Sequence, residues 1–276
     1  MIEICCGSYE DALAAWKGGA ERIELNSAVY LGGLTPSIGS LRLVKENTGL
    51  KVISMVRPRG AGFSYTEAET EQMFADARIL MENGSDGLAF GFLTSEGKID
   101  SERTGRMIRL IHEFHGEAVF HRAFDCVEDP YEAIEELIRL GTDRILTSGL
   151  KEKAAAGAGL LKELQENYGN QIQLLAGSGI NADNAKALLE ETGLTQVHSS
   201  CRDWKRDETT TGPWVNYCFA PVPHENDYDA VNETLVRIPV GVKKTFIAKA
   251  CKRAERVTAA AVIRYLSVLL FFFIIH

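Results

Sequence analysis

Short runs of β-branched and aliphatic residues alternate with amphipathic stretches of helical period from the first residue to about residue 200. The runs at 2–6, 22–25, 51–56, 86–90, 118–121, 144–147, 172–176 and 196–198 read as strands. Between them, helical patterns cover 8–18, 38–47, 67–82, 101–115, 130–140, 153–168 and 182–191. Ser37, following Thr35-Pro36, is placed to cap the second helix. Asp129-Pro130 supplies a cap and then a proline in the first turn of the fifth. Gly84, Gly116 and Gly141 stand where helices stop, and each suits a left-handed C-cap. Such alternation predicts a parallel sheet buried on both faces. Eight strands in about 200 residues suit a closed (β/α)8 TIM barrel better than an open doubly wound sheet. The turn after the first strand, Cys5-Cys6-Gly7-Ser8, is also no dinucleotide-binding glycine motif.

Beyond residue 200 the rhythm changes. Residues 203–230 are polar and loop-like, 234–239 reads as a short strand, and 240–265 reads as a basic helix placed to complete the barrel. The predicted organisation is one barrel domain over 1–255, with 203–236 an irregular insertion before its last helix and 256–276 an apolar tail. The apolar run at 265–275 is too short to span a bilayer, and extending it upstream meets Arg264. Packing on the barrel or on a partner subunit, or a disordered or atypical end, is the expectation for it, ahead of a membrane contact.

Composition narrows the function classes. With 45% hydrophobic and 25% charged residues the chain reads as an ordinary soluble globular protein. A formal net charge of −8 argues against nucleic acid as a partner. From Arg237 onward, eight basic residues stand against Glu255 alone, so the end of the chain is basic and the rest more acidic than the total shows. Met1-Ile2-Glu3-Ile4 shows neither a basic n-region nor an apolar h-region, so no secretory leader is expected. The six cysteines are scattered without a CxxC pair; reduced thiols and a cytoplasmic location are the expectation.

Chemistry in such a barrel sits at the C-terminal ends of the strands and in the loops that follow. Polar residues collect there. The third strand runs into Arg57-Pro58-Arg59-Gly60, and the fifth into His121-Arg122 and then Asp125. The sixth ends in Thr147-Ser148-Gly149, the seventh in Gly177-Ser178-Gly179 and the eighth in His198-Ser199-Ser200. Glu3 and Glu24 interrupt otherwise apolar strands. Each residue has an ordinary reading as well: ion-paired glutamates, a hydrogen-bonded core histidine, arginines on surface carboxylates, glycines that merely allow a tight turn. Their recurrence at one end of successive strands favours a paired polar network open to a ligand, because buried charges must be paired or serve one. Read as an enzyme, His121 or His198 would be the acid–base group, with Glu3, Glu24 and Asp125 orienting it or carrying a proton. Arg57, Arg59 and Arg122, with Ser148, Gly177, Gly179 and Ser200, would hold a small anionic metabolite, phosphorylated or carboxylated. Asn181 is placed to cap the helix behind the glycine loop. No nucleophile motif such as G-x-S-x-G is present. As for metals, Cys5 and Cys6 are neighbours on a strand and point to opposite faces, which makes a shared site awkward. His112 and His115 fall on an outer helix, and the methionines form no cluster.

Several segments together resemble the CutC copper-homeostasis family: Glu3-Ile4-Cys5, Arg22-Ile23-Glu24-Leu25, Gly32-Gly33-Leu34-Thr35-Pro36-Ser37, Arg57-Pro58-Arg59, Phe120-His121-Arg122-Ala123-Phe124-Asp125, Ile145-Leu146-Thr147-Ser148-Gly149 and Val197-His198-Ser199-Ser200. The match is collinear over about 1–202. The resemblance implies a self-associating cytoplasmic TIM barrel assigned to copper homeostasis, with copper(I) as ligand and Cys5 as one of its donors. Many members carry a second cysteine after the I-E-L block, where this chain has Asn26. Two readings therefore stand side by side: a copper(I)-binding protein, and a barrel enzyme acting on a small anion.

Overall fold

The computed structural model describes residues 1–237. Its centre is a closed barrel of eight parallel strands. These are β1 (Ile2–Cys6), β2 (Arg22–Leu25), β3 (Lys51–Met55), β4 (Gly87–Phe90), β5 (Glu117–Phe120), β6 (Arg144–Thr147), β7 (Gln173–Ala176) and β8 (Val197–Ser199). Seven helices alternate with them: α1 (Tyr9–Lys17), α2 (Ile38–Asn47), α3 (Glu67–Glu82), α4 (Ser101–Glu113), α5 (Pro130–Leu140), α6 (Ala158–Tyr168) and α7 (Ala185–Thr192). The barrel closes where β8 pairs with β1, Glu3 lying opposite His198. This is the predicted TIM barrel, with strand and helix limits within a few residues of those expected.

Alternation along the strands divides the interior in two. On β1, Ile2, Ile4 and Cys6 belong to the large apolar core between strands and helices. Glu3 and Cys5 take the opposite phase and face the barrel axis. In that same phase Ile53, Met55, Ala89 and Val119 form a small apolar cluster of their own. The charged Arg22, Glu117 and Arg144 fill the axis toward the N-terminal ends of the strands.

Ser37 Oγ accepts from the Ser40 amide at 3.1 Å, and Asp129 Oδ1 accepts from those of Tyr131 and Glu132, so both predicted N-caps form. Gly84 and Gly141 are left-handed, with φ of 91° and 86°. Gly116 is not. The left-handed residue there is His115, at φ 58°, and a Cβ on Gly116 would come 2.4 Å from Met81 Cε, so close packing accounts for this glycine.

The segment after the barrel also differs from expectation. Residues 202–231 contain an antiparallel pair, β9 (Arg202–Arg206) and β10 (Asp227–Val231). Buried Asp11 ties this pair to α1: its carboxylate accepts from the amides of Gly7 at 2.8 Å and Val231 at 2.7 Å. Where a strand was expected from residue 234, the chain turns helical over 233–237, and Asn232 Oδ1 accepts from the Thr234 amide at 2.8 Å. The predicted basic helix at 240–265, the domain limit at 255 and the apolar tail lie outside the described residues. Among the described residues no helix is long and apolar enough to cross a membrane.

Candidate functional site

The C-terminal mouth of the barrel gathers β1, β2 and β8 around three side chains. Cys5 Sγ, a Glu24 carboxylate oxygen and a His198 ring nitrogen all lie within 4.8 Å of one another. The register produces this meeting: Cys5 is opposite Glu24 on β2, and Glu3, one inward step below Cys5, is opposite His198 on β8. His198 is fixed from one side, with Nδ1 2.9 Å from Glu3 Oε1. Its Nε2 faces Glu24 Oε2 at 4.0 Å. Asn26, at the end of β2, donates from Nδ2 to Glu24 Oε2 at 3.0 Å and to Cys5 Sγ at 3.6 Å.

Burial and charge set the protonation states. Burial alone would raise the Glu3 pKa, but the hydrogen bond to His198 and the charges of Arg22 and Arg144 hold it down at about 2. Burial would likewise lower that of His198. Its contacts with Cys5 and Glu3, and the neighbouring Glu24 charge, instead raise it well above the usual histidine value. Burial raises Glu24, helped by the negative charge of Glu3. These directions favour an imidazolium held between a firmly ionised carboxylate and one that resists ionisation.

Beneath it runs a network absent from the sequence expectations. Arg22 Nε lies 2.5 Å from Glu3 Oε2, an ion contact without the alignment of a hydrogen bond. Arg22 also donates to Gln196 Oε1 at 2.8 Å. Arg144 pairs with Glu117 at 2.6 Å and approaches Glu3 at 3.9 Å. Both arginines are 98% or more buried, so Glu3 is their counter-charge as well as the partner of His198. Both occupy the first residue of a strand, where a search confined to C-terminal strand ends does not look.

The other predicted residues fall into separate groups. His121 and Arg57 meet under Phe63 at the ends of β5 and β3: the Phe63 ring centre is 5.0 Å from the His121 ring centre and 5.0 Å from Arg57 Cζ. Asp125 is a hub, accepting from Thr147 Oγ1, Ser148 N and Oγ, and Arg122 Nε at 2.6–3.1 Å, and from Leu150 N at 3.3 Å. In that arrangement Arg122 and Ser148 hold the loop after β5 to the end of β6. Arg59 reaches away, to Glu69 at the start of α3 and to loop carbonyls. Gly177 lies beside the new site, since a Cβ there would come 2.6 Å from Leu146 Cδ1 and 3.5 Å from His198 Cβ. Gly179 adopts φ 69° against Lys153, and Ser200 is exposed. Asn181 Oδ1 caps a turn by accepting from Asp183 N and Asn184 N, just ahead of α7. His112 is on the outside of α4, bonded to Asp143.

Comparison with known proteins gives a consistent result. A family model described as the CutC family matches residues 1–203. A CutC family protein of Treponema denticola is 45% identical over 230 residues, 83% of this chain and 92% of its own length. The human copper homeostasis protein cutC homolog is 43% identical over 202 residues, 73% of each chain. Among solved structures, the CutC protein of Streptococcus agalactiae superposes with a TM-score of 0.69 at 32% identity, covering 72% of this chain and 98% of its own.

Proposed function

The chain belongs to the CutC family, and from that premise we propose that it binds copper(I) as cargo at the barrel mouth, with Cys5 and His198 as its main ligands and Glu24 beside them. One observation carries this reading. A thiol, an imidazole nitrogen and a carboxylate oxygen converge within 4.8 Å, while Glu3 holds the other nitrogen of the same ring. Thiolate and imidazole are the donors copper(I) accepts. A carboxylate on the far nitrogen fixes the ring and raises its basicity, the usual support for a metal-bound histidine. Binding would displace the thiol proton and the proton on the ring nitrogen facing it, so loading releases protons. Asn26 occupies the place from which a second thiol would reach the ion, its Nδ2 already 3.6 Å from Cys5 Sγ. The site in this chain is thus a one-thiol version, and a cytoplasmic, reducing setting suits its free thiol.

The test is competition between the reduced protein and a chromogenic copper(I) chelator. The wild type should withdraw copper(I) from the chelator. Cys5→Ser and His198→Ala should lose that ability, Glu3→Gln should weaken it about 10–100-fold, and Asn26→Cys should strengthen it. Copper uptake that is unchanged in folded Cys5→Ser and His198→Ala proteins would overturn the reading. The alternative of a barrel acting on a small anion draws its support from another part of the mouth, Arg57 and His121.

A further inference from the structure

Across the mouth from Cys5, two side chains carry hydrogen-bond donors that nothing satisfies. His121 is 3% exposed and Arg57 6%. His121 Nδ1 accepts from the Ala123 amide at 3.1 Å, which places the ring proton on Nε2, and that nitrogen is buried without a partner. Arg57 gives its terminal N–H groups to three backbone carbonyls, those of Leu31 at 3.2 Å, Gly33 at 3.4 Å and Ala61 at 2.5 Å. Its Nε–H is buried without an aligned partner, with the Tyr65 hydroxyl a neighbour of the guanidinium, and no carboxylate pairs with it among the described residues. Buried polar groups are normally satisfied and buried charges normally paired. Here a neutral donor and a cationic donor are both left open on side chains that pack against one ring, Phe63.

The backbone brings the two together. His121 follows β5 and Arg57 follows β3, both in the inward phase of their strands. Between them β4 is followed by Gly91, where a Cβ would stand 2.6 Å from His121 Cε1. The missing side chain lets the imidazole lean across β4 toward β3. Phe63 then covers both, 5.0 Å from each, and its own carbonyl accepts from the Leu93 amide at 2.9 Å. Burial first, and then the charges of Arg57 and Arg122, lower the His121 pKa to about 3. The ring is thus neutral at neutral pH and acts as a donor beside a cation.

We propose that Arg57 and His121 form a binding site for the oxyanion group of a small molecule, a carboxylate or a phosphate, with Phe63 as its cover. One N–H donor from each of two side chains beneath the same ring suits the paired oxygens of such an anion, and the guanidinium supplies the charge. The site uses β3, β4 and β5, none of which contributes to the copper site, so it stands or falls separately from that reading.

The experiment is titration of the reduced full-length protein with sodium acetate and, separately, inorganic phosphate, at constant ionic strength. Readouts are the melting temperature and the His121 Nε2–H resonance. One of the two anions should saturate, raise the melting temperature and move that resonance; which one does so assigns the group as carboxylate or phosphate. His121→Phe keeps the ring and removes the donor, and Arg57→Lys keeps the charge and removes Nε–H. Each should weaken binding at least about tenfold, as expected for a lost hydrogen bond to a charged group. Cys5→Ser should leave the affinity unchanged. Phe63→Ala should leave both donors in place and speed exchange of the anion. The proposal is overturned if neither anion saturates, or if folded His121→Phe binds as the wild type does. Should Arg57→Lys fail to fold, His121→Phe alone decides.

Discussion

Glu3 shows how much one side chain can hold. Its carboxylate faces Arg22, Arg144 and His198 at once while only 1% exposed. Replacing it leaves Arg22 without its direct carboxylate partner, Arg144 with Glu117 alone and His198 with only the more distant Glu24. Glu3→Ala should therefore cost about 3–5 kcal/mol in denaturant unfolding, the scale for breaking a buried ion pair from one side. His121 gives a different signature. Its pKa falls from 6.5 to about 3 on folding, so below 6.5 the unfolded chain takes up a proton that the native state refuses. Its contribution is complete above pH 6.5 and is lost as the pH falls toward 3. Wild-type stability should decline over that window more steeply than that of His121→Phe, measured as unfolding midpoints in parallel pH series. At this scale Glu3, Glu24, Cys5 and His198 could all be named from the sequence as candidates, and the structure makes them neighbours. The sequence did not show how the named polar residues would divide among partners. Arg57 and Arg59 are two positions apart, yet one is buried against the carbonyls of Leu31, Gly33 and Ala61 and the other turns onto Glu69. Strand phase would have exposed Arg22, which shares the inward phase of Glu24.

Among the elements, those with a clear apolar period were legible and those shaped by contact were not. All eight barrel strands could be read because their outward faces are mostly apolar, with Leu, Ile, Val, Ala and Phe outnumbering exceptions such as Ser54 and Ser199. The β9–β10 pair could not: β9 reads Arg-Asp-Trp-Lys-Arg, a mostly exposed strand whose partner and not its apolar content defines it. The stretch from residue 234 offers β-branched residues, and the cap from Asn232 outweighs them. The link between β6 and α6 shows how tightly elements meet. A short 3-10 turn at Ala154–Gly157 presses Gly157 onto the end of β6, where an added Cβ would fall 1.9 Å from the Ser148 carbonyl oxygen and 3.0 Å from Gly149 Cα. Backbone cannot step aside as a flexible side chain can. Gly157→Ala should cost about 1–3 kcal/mol by overpacking and, through Ser148, loosen the Asp125 hub, seen as faster hydrogen exchange at the Ser148 and Leu150 amides.

For the whole molecule, the barrel and the β9–β10 pair are joined through a few identifiable bonds. Asp11 spans them by accepting from Gly7 on one side and Val231 on the other, and Arg202 pairs with Asp229 within the pair. Asp11→Ala should leave the barrel folded and make the segment between residues 207 and 226 the first site of limited proteolysis, read by mass spectrometry of early fragments. The closure of the barrel has a further consequence, in time. Glu3 and His198 are 195 positions apart, so a ribosome adding about 5–20 residues per second delivers the second roughly 10–40 s after the first. Throughout that interval β1 has an open edge on its β8 side, and Glu3 lacks the imidazole that completes its surroundings. The strand made first is among the last to be enclosed, and a growing chain must shield it from other chains until nearly the whole barrel has been made.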